Sequence, residues 1–503
     1  MDGEARMSID AAVSGSDAAS DIASFDVSPV NSAEARKLYK AREPIYPKRV
    51  SGLYRRVKWL LLAAMLAFYY LAPWIRWPRG PAEPDQAILV DFAGRRFYFF
   101  FIEIWPDELY YVTGLLILAA LGLFLATALF GRVWCGYACP QTIWTDLYIA
   151  VERWIEGDRN QRMKLAKAPM SADKIRKKVS KHVIWILIAA ATGGAWVFYF
   201  HDAPTILPQL FRGEAPGSAY LFMGVLTFTT YALAGTMREQ VCTYMCPWPR
   251  IQAALTDAET LQVTYKTDRG EPRGAHKKGE SWEGRGDCIG CKACVAACPM
   301  GIDIREGPQL ECINCALCID ACDDIMARID RPKRLIGYDT DLNLERRVAG
   351  QKPQSRFVRS RTLFYAAAFA IVSGVMIFAM STRATIEANV LRDRTPPFVK
   401  LSDGSIRNGY TVKLTNKENF ARTFSVSFAG VDGLELTSVG LESADASFTA
   451  VVEGDDSRSL RILADLPSDR LTASSLPLTI VVSVVGETET ARRDTVFLTG
   501  WLR

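Results

Sequence analysis

A run of about twenty apolar residues leaves a chain little freedom, because in hydrocarbon every backbone N–H and C=O must be satisfied within the segment, and a helix does this alone. Five such runs occur here. They extend from Trp59 to Trp77, Leu109 to Phe130, His182 to Phe200, Ala219 to Met237 and Thr362 to Met380. The second, LYYVTGLLILAALGLFLATALF, and the fifth, TLFYAAAFAIVSGVMIFAM, are hard to read otherwise, a buried soluble helix being the alternative for any one stretch. Trp59, Trp74 and Trp77 bracket the first, as interfacial aromatics do. Gly193, Gly194, Gly224 and Gly235 in the third and fourth permit close helix approach within a bundle. The Thr-rich fourth also fits a buried soluble helix.

The chain of 503 residues is 49% hydrophobic yet 23% charged, a mixture that suggests spans interleaved with soluble parts. A net charge of +5 without a basic-aromatic stripe makes nucleic acid an unexpected partner. Residues 1–36 are rich in Asp, Ala and Ser and lack both a basic start and an apolar core, so a disordered tail is expected and no signal peptide. Positive charge sets the orientation. Lys37, Lys40, Arg42, Lys48, Arg49, Arg55, Arg56 and Lys58 precede the first span, and ten basic residues lie between Arg153 and Lys181, whereas the segment between Phe200 and Ala219 holds only Arg212. The N-terminus and the loops after the second and fourth spans are therefore expected inside. The C-terminus is expected outside.

From about Thr395 the pattern changes to short alternating runs, GYTVKL, TFSVSF and LPLTIVVSVV, separated by Gly, Asp, Pro and Ser. This predicts an antiparallel, Ig-like β-sandwich over 395–503. It contains no cysteine. The remaining plan is four spans with two cysteine boxes over 37–270, a ferredoxin-type unit marked by two CxxCxxCxxxC runs, Cys288–Cys298 and Cys312–Cys322, over 271–345, and a linker with the fifth span over 346–394. The fold class is thus a multi-domain membrane protein: a five-span α-helical bundle, a cytoplasmic two-[4Fe-4S] ferredoxin-like insert and a C-terminal all-β sandwich.

All twelve cysteines fall into short motifs. Cys288, Cys291, Cys294 and Cys298 form one CxxCxxCxxxCP run, and Cys312, Cys315, Cys318 and Cys322 form a second that ends in Asp323 and Asp324. Such runs let three thiolates wrap one cubane while the fourth crosses to the other. Two [4Fe-4S] clusters are expected, one on Cys288, Cys291, Cys294 and Cys322, the other on Cys312, Cys315, Cys318 and Cys298. Zinc would favour two CxxC pairs with a longer spacer, and a reducing compartment disfavours disulfides. Asp323 and Asp324 read as a solvated helix end, with tuning of a nearby cluster as the other reading.

Cys135 and Cys139 in CGYACP, and Cys242 and Cys246 in CTYMCP, close the second and fourth spans. If helix continues through each box, the i, i+4 spacing puts both sulfurs on one face, and Pro140 and Pro247 then break or kink it. Four thiols converging at one membrane surface could hold Cu(I), another metal centre, or a redox dithiol pair, with Met237 and Met245 adding thioether sulfur. The other reading is four small buried hydrophobes. The three histidines, His182, His201 and His276, none mid-span, exclude a transmembrane bis-histidine haem. They read as polar flanks. No nucleotide loop or nucleophilic triad is present, so electrons must come from a partner or a small donor.

Spans carrying CGYACPQTIWTD and CTYMCPWPRIQ, a two-cluster insert, a last span and a sandwich opening with NGYTVKLTN together resemble the FixG/CcoG/RdxA family of cytochrome c oxidase accessory proteins, from about Tyr39 to the end. The CxxxCP boxes alone are shared with NapH-like and NosR-like membrane ferredoxins. The resemblance implies a bacterial inner-membrane cupric reductase that supports cbb3-type oxidase assembly, with copper as substrate. Cys135, Cys139, Cys242 and Cys246 would be its catalytic residues and the site of copper. The partners it implies are a cytoplasmic electron donor, a copper chaperone or transporter and oxidase biogenesis factors, with a homodimer left open. Two rivals stand beside this: a NapH-like quinol-oxidising subunit, and a non-enzymatic assembly scaffold.

Overall fold

The computed structural model describes residues 24–31, 43–80, 83–277, 279–438, 443–444 and 447–500, so most of the expected disordered tail lies outside the described residues. Residues 24–31 depart from that expectation. The Phe25 amide donates to the Cys291 carbonyl at 3.0 Å and the Val30 amide to Gly301 at 2.8 Å, while Phe25 and Val27 pack on the ferredoxin core. Spaced apolar residues in an otherwise polar stretch supply enough burial to order it.

Among the described residues five helices are long and apolar enough to cross a membrane: Leu53–Trp74, Pro106–Phe130, Ala172–Val197, Gly217–Met237 and Ser360–Ser381. The first and third start well before the apolar runs because their opening turns carry Arg and Lys. Much of that charge is buried in ion pairs. Asp146 meets Arg55 at 2.9 Å and Lys58 at 3.3 Å. Glu152 meets Arg238 at 2.7 Å, Lys181 at 3.4 Å and also Arg162, and Glu156 meets Lys178 at 2.9 Å and Lys181 at 3.0 Å. Helix Pro140–Glu156, which carries all three carboxylates, is thereby locked to the first, third and fourth spans. The fourth span finishes as a π-helical stretch, Tyr231–Met237, and a small antiparallel meander (Ile88–Asp91, Arg96–Phe99, Ile102–Ile104) fills the link between the first two spans.

The ferredoxin-type unit is wider than 271–345. Its two-stranded sheet pairs Gln262–Tyr265 with Ile336–Asp339, and strands of four residues are too short for alternation to announce. Its second cysteine helix, Leu317–Arg328, bonds directly to the start of the first span. Asp320 accepts the Arg55 amide at 2.7 Å and the Tyr54 amide at 3.3 Å, so a carboxylate from the ferredoxin supplies the N-terminal cap that Gly52 lacks.

The C-terminal unit starts earlier than Thr395, since Ile386–Arg392 already pairs antiparallel with Ile406–Asn416. One sheet runs Glu435–Ser438, Ser457–Leu466, Ile406–Asn416, Ile386–Arg392, with Val399–Lys400 also on Ile406–Asn416. The other runs Ser443–Ala444, Ser447–Val452, Arg422–Ala429, Ser475–Val484, Thr490–Leu498. Tyr410, Val412, Leu414, Phe424, Val426, Phe448, Ile462, Ile480, Val482 and Phe497 are fully buried between them. NGYTVKLTN supplies polar staples where no disulfide exists. Tyr410 Oη donates to the Val496 carbonyl at 2.9 Å, Asn408 exchanges hydrogen bonds with Leu498 at 2.8 and 3.0 Å, and the buried Asn416 amide reaches Phe420, Glu453 and Val452 carbonyls at 2.8, 3.1 and 3.3 Å.

Two outcomes follow. Asn416→Ala strands buried carbonyls and should destabilise the sandwich by about 1–3 kcal/mol, measurable as faster limited proteolysis of this unit with the ferredoxin spectrum unchanged. Burial alone would raise the Glu152 carboxyl, but attraction to Arg238 and Arg162, the Arg238 hydrogen bond and Lys181 hold it down to about 2. A depressed carboxylate contributes stability that is present above its usual value near 4.5 and is lost as pH falls through about 2. Thermal melts of wild type between about pH 6 and 3 should therefore decline, whereas Glu152→Gln should start lower by about 3 kcal/mol and vary less with pH.

Candidate metal centres

The two cysteine runs fold alike. In the first, Gly290 (φ 70°) and Lys292 (φ 56°) are left-handed, and in the second Asn314 (φ 52°) and Ala316 (φ 61°) occupy the same two places. Alternation of this kind curls a loop so that successive amides face inward, the nest that iron–sulfur sites use. A helix follows each loop, Ala293–Ala297 and Leu317–Arg328, and carries the third thiol on its first turn. Tyr338 Oη donates to the Asn314 carbonyl at 2.6 Å and holds the second loop against the short sheet.

Two cavities result. One, about 350 Å³ of atom-free space, is lined by Cys288, Cys291, Cys294 and Cys322 with Ile289, Ile325, Met326, Leu335 and Ile336. The other, about 370 Å³, is lined by Cys298, Cys312, Cys315 and Cys318 with Met300, Ile302, Ile304 and Ile313. Cys294 borders both. The structure thus brings together the two sets of four thiols, each with one member from the opposite run. Burial pushes the Cys294 and Cys298 thiols up to about 12 and Cys312 to about 11, and drives Cys318 and Cys322 well above the usual thiol range. Apolar pockets walled by four thiols fit a cubane, whose binding turns those thiols into thiolates.

Nearby charge is mostly compensated. Arg305, beside the first cavity, is bidentate to Asp303 through Nε at 2.8 Å and Nη2 at 2.5 Å. Asp323 accepts the Arg334 amide at 2.7 Å and Asp324 pairs with Arg328 at 2.6 Å, which agrees with an ordinary helix end. Arg132 is different: its guanidinium is buried on carbonyl oxygens, those of Leu310, Cys312 at 3.3 Å and Pro249 at 2.9 Å.

The boxes do not continue their helices. The second span stops at Gly131 (φ 59°), a separate turn Val133–Tyr137 carries Cys135, and Cys139 is extended (φ −63°, ψ 128°) ahead of a new helix with Pro140 in its first position. Likewise Cys242 lies in the π-helical turn Val241–Met245 and Cys246 is extended (φ −79°, ψ 123°) before Pro247 and helix Trp248–Leu255. The expected shared helix face is therefore absent. Proline excludes the residue before it from the α region, so the second cysteine of each box leaves the helix and turns its thiol independently.

Both boxes nevertheless reach the ferredoxin. Cys135 and Cys242 pack in one core with Cys298, Cys312, Cys315, Met300 and Ile313. Cys135 Sγ donates to Gln252 Oε1 at 3.2 Å, across to the helix that follows the other box, and Gln141 Nε2 bonds the carbonyls of Leu233 at 2.8 Å and Arg238 at 3.2 Å. Tyr137 Oη donates to the Cys315 carbonyl at 3.3 Å. A Cβ on Gly136 would lie 2.6 Å from the Ile313 carbonyl oxygen and 3.0 Å from the Cys315 amide nitrogen, so the glycine allows backbone to lie on backbone. Burial, then the neighbouring Cys139 and Cys242, pushes the Cys135 thiol up to about 12. Met245 is exposed, His182 Nδ1 is bound to Tyr231 Oη at 2.9 Å, and His276 stacks on Trp282 at 3.8 Å. Gly136, Arg132, Gln252 and Asp320 carry no local sequence signal of these contacts. CVAACP, running from Cys294 to Pro299, is itself a third CxxxCP segment, and that signal was legible.

Helices that span, a two-cubane module at one end of them and an Ig-like sandwich define a membrane iron–sulfur redox protein. Family models match as a 4Fe-4S dicluster domain over 237–341, a 4Fe-4S binding domain over 112–158 and the IG-like fold at the C-terminal of FixG over 376–500. The chain is 48% identical over 476 residues to the nitrogen fixation protein FixG of Rhizobium meliloti, covering 89% of this chain and 91% of that one. It is 51% identical to protein RdxB of Cereibacter sphaeroides, covering 92% and 98%, and 51% identical to RdxA of the same organism, covering 83% and 89%. The chain belongs to the FixG/RdxA family.

The backbone contact at Gly136 generates a test. Gly136→Val should perturb the signal of the cluster on Cys298, Cys312, Cys315 and Cys318 in EPR of the reduced protein and leave the signal of the other set unchanged; equal loss of both would mean general unfolding.

Proposed function

We propose that this chain is a cupric reductase of the bacterial inner membrane, with N-terminus and ferredoxin unit in the cytoplasm and the sandwich in the periplasm, and that it supplies Cu(I) during assembly of a cbb3-type cytochrome c oxidase. One observation supports the reading: the first cysteine of each CxxxCP box, Cys135 and Cys242, packs in one apolar core with Cys298, Cys312 and Cys315 of the second cysteine set. When bound, the cubanes provide one-electron carriage at low potential. The chain's own contribution is placement. Asp320, Gly136 and Arg132 clamp the ferredoxin loops to the ends of the spans, and Cys294 stands between the two cavities.

The reaction balances as Cu(II) plus one electron to Cu(I), the electron drawn from a cytoplasmic one-electron donor. Soft sulfur favours the product ion over the substrate ion. Cys139, Cys242 and Cys246 are partly exposed while Cys135 is buried, so the electron leaves the protein on the accessible side of the boxes. Cu(I) then passes to a chaperone or transporter, and the sandwich docks an oxidase biogenesis partner. Every cysteine lies at one end of the bundle or in the unit attached there, which favours this route over quinol oxidation feeding the far side.

Anaerobic protein with reduced clusters should generate Cu(I), trapped by a specific chelator. Cys139→Ala with Cys246→Ala should lower that rate at least about tenfold while the ferredoxin EPR signals persist, since a lost terminal transfer site costs well over a kcal/mol in the barrier. Wild-type protein that yields no Cu(I) would leave a scaffold.

A further inference from the structure

The form of the boxes goes beyond the copper reading, and assigns their four thiols to electron delivery to copper rather than to holding it. In the ferredoxin unit Cys294 and Cys298 occupy a CxxxCP segment: a five-residue turn, Ala293–Ala297, then an extended cysteine (φ −72°, ψ 121°) and Pro299. Both of its thiols line cubane cavities. The second membrane box repeats this order residue for residue, with a π-helical turn, and the first repeats it with one residue, Ala138, between the turn and the extended cysteine. Val133–Tyr137 and Val241–Met245 are five-residue turns carrying the first cysteine, and Cys139 and Cys246 repeat the extended backbone before proline. Proline explains part of that likeness, because it restricts its predecessor wherever it occurs. It does not explain why the turns are equally short or why the four thiols meet.

Cys139, Cys242 and Cys246 all neighbour Cys135, and side-chain hydrogen bonds tie the two boxes together. Gln252 is wholly buried on the helix after the second box and bonds the first thiol of the first box. Gln141, two residues after Cys139, bonds the end of the fourth span four residues ahead of Cys242. Arg132 joins the approach to the first box with Pro249, just past the second, and with the second ferredoxin loop. Among the described residues no three His, Cys, Asp or Glu side chains gather tightly enough for a single ion, and this is as true of the eight ferredoxin cysteines as of these four. A lone ion draws its thiolates within about 2.3 Å of one centre, whereas a cubane spreads them over four corners.

We infer that Cys135, Cys139, Cys242 and Cys246 together hold a third [4Fe-4S] cluster, set against the cluster on Cys298, Cys312, Cys315 and Cys318. The matched 4Fe-4S segment over 112–158 contains only two cysteines, and the tertiary structure supplies the other two from beyond the fourth span. Ile313, Met300 and Cys315 lie in the same core as Cys135 and Cys242, so this set adjoins the cluster on Cys298, Cys312, Cys315 and Cys318. Gln252 then sits beside the Cys135 sulfur as the polar group that tunes it, its amide turned to donate from Nε2.

Iron and acid-labile sulfide of the full-length protein, purified anaerobically in detergent, decide the matter. About twelve of each per chain are expected, falling to about eight in Cys139→Ser with Cys242→Ser, and a Gln252→Leu variant should keep about twelve while shifting one EPR signal only. About eight in wild type, with or without bound copper, overturns the proposal. If the cysteine variants fail to accumulate, the wild-type count with ⁵⁷Fe Mössbauer spectroscopy still gives the answer. Cu(I) formation is scored separately, so a third cluster without cupric reduction, or the converse, is distinguishable.

Discussion

The architecture depends on a close contact between two backbones. Gly136 of the first box lies against Ile313 and Cys315 of the second ferredoxin loop, where no side chain could be interposed. Around this contact Tyr137 and Arg132 bond loop carbonyls, and Asp320 caps the first span from the ferredoxin side. These bonds take a unit that would otherwise hang on flexible connections and set it rigidly on the helix ends. Electron transfer between sulfur-ligated sites needs such fixed separation, and the hydrogen bonds here provide it through polar groups already buried, each of which would be costly to leave unmatched.

Burial shapes the chemistry of the cysteines in the same way. Thiols held in apolar pockets resist ionisation, so without a metal they behave as neutral hydrophobes and pack as core. A metal reverses this: the thiolates are then neutralised by iron, and the desolvation that disfavoured them strengthens every bond to the cluster. The left-handed pairs, Gly290 with Lys292 and Asn314 with Ala316, curl each loop around its thiols.

Charge in the bundle does two jobs. Arg55, Lys58, Arg162 and Lys181 are residues by which orientation can be judged, yet they are also buried partners of Asp146, Glu152 and Glu156. A positive loop and a structural ion network are the same residues read at two levels. The carboxylates that compensate them lie on Pro140–Glu156, the helix opened by the first box proline, so the box that presents thiols also anchors the bundle.

Hydrophobic length determined the five spans, cysteine spacing determined two four-thiol sets, and alternation determined the sandwich, because each is a local periodicity that one strand of text records. Tertiary structure alone decided what depends on meetings between distant segments. Gly136, Arg132, Gln252 and Asp320 carry no local signal of their partners, and the strand Ile386–Arg392 and the sheet pair Gln262–Tyr265 with Ile336–Asp339 become recognisable only once their neighbours lie beside them. The boxes show the division most clearly: CxxxC suggests one helix face, but the proline that follows forbids it, and only the folded chain brings the two pairs of thiols to a common place.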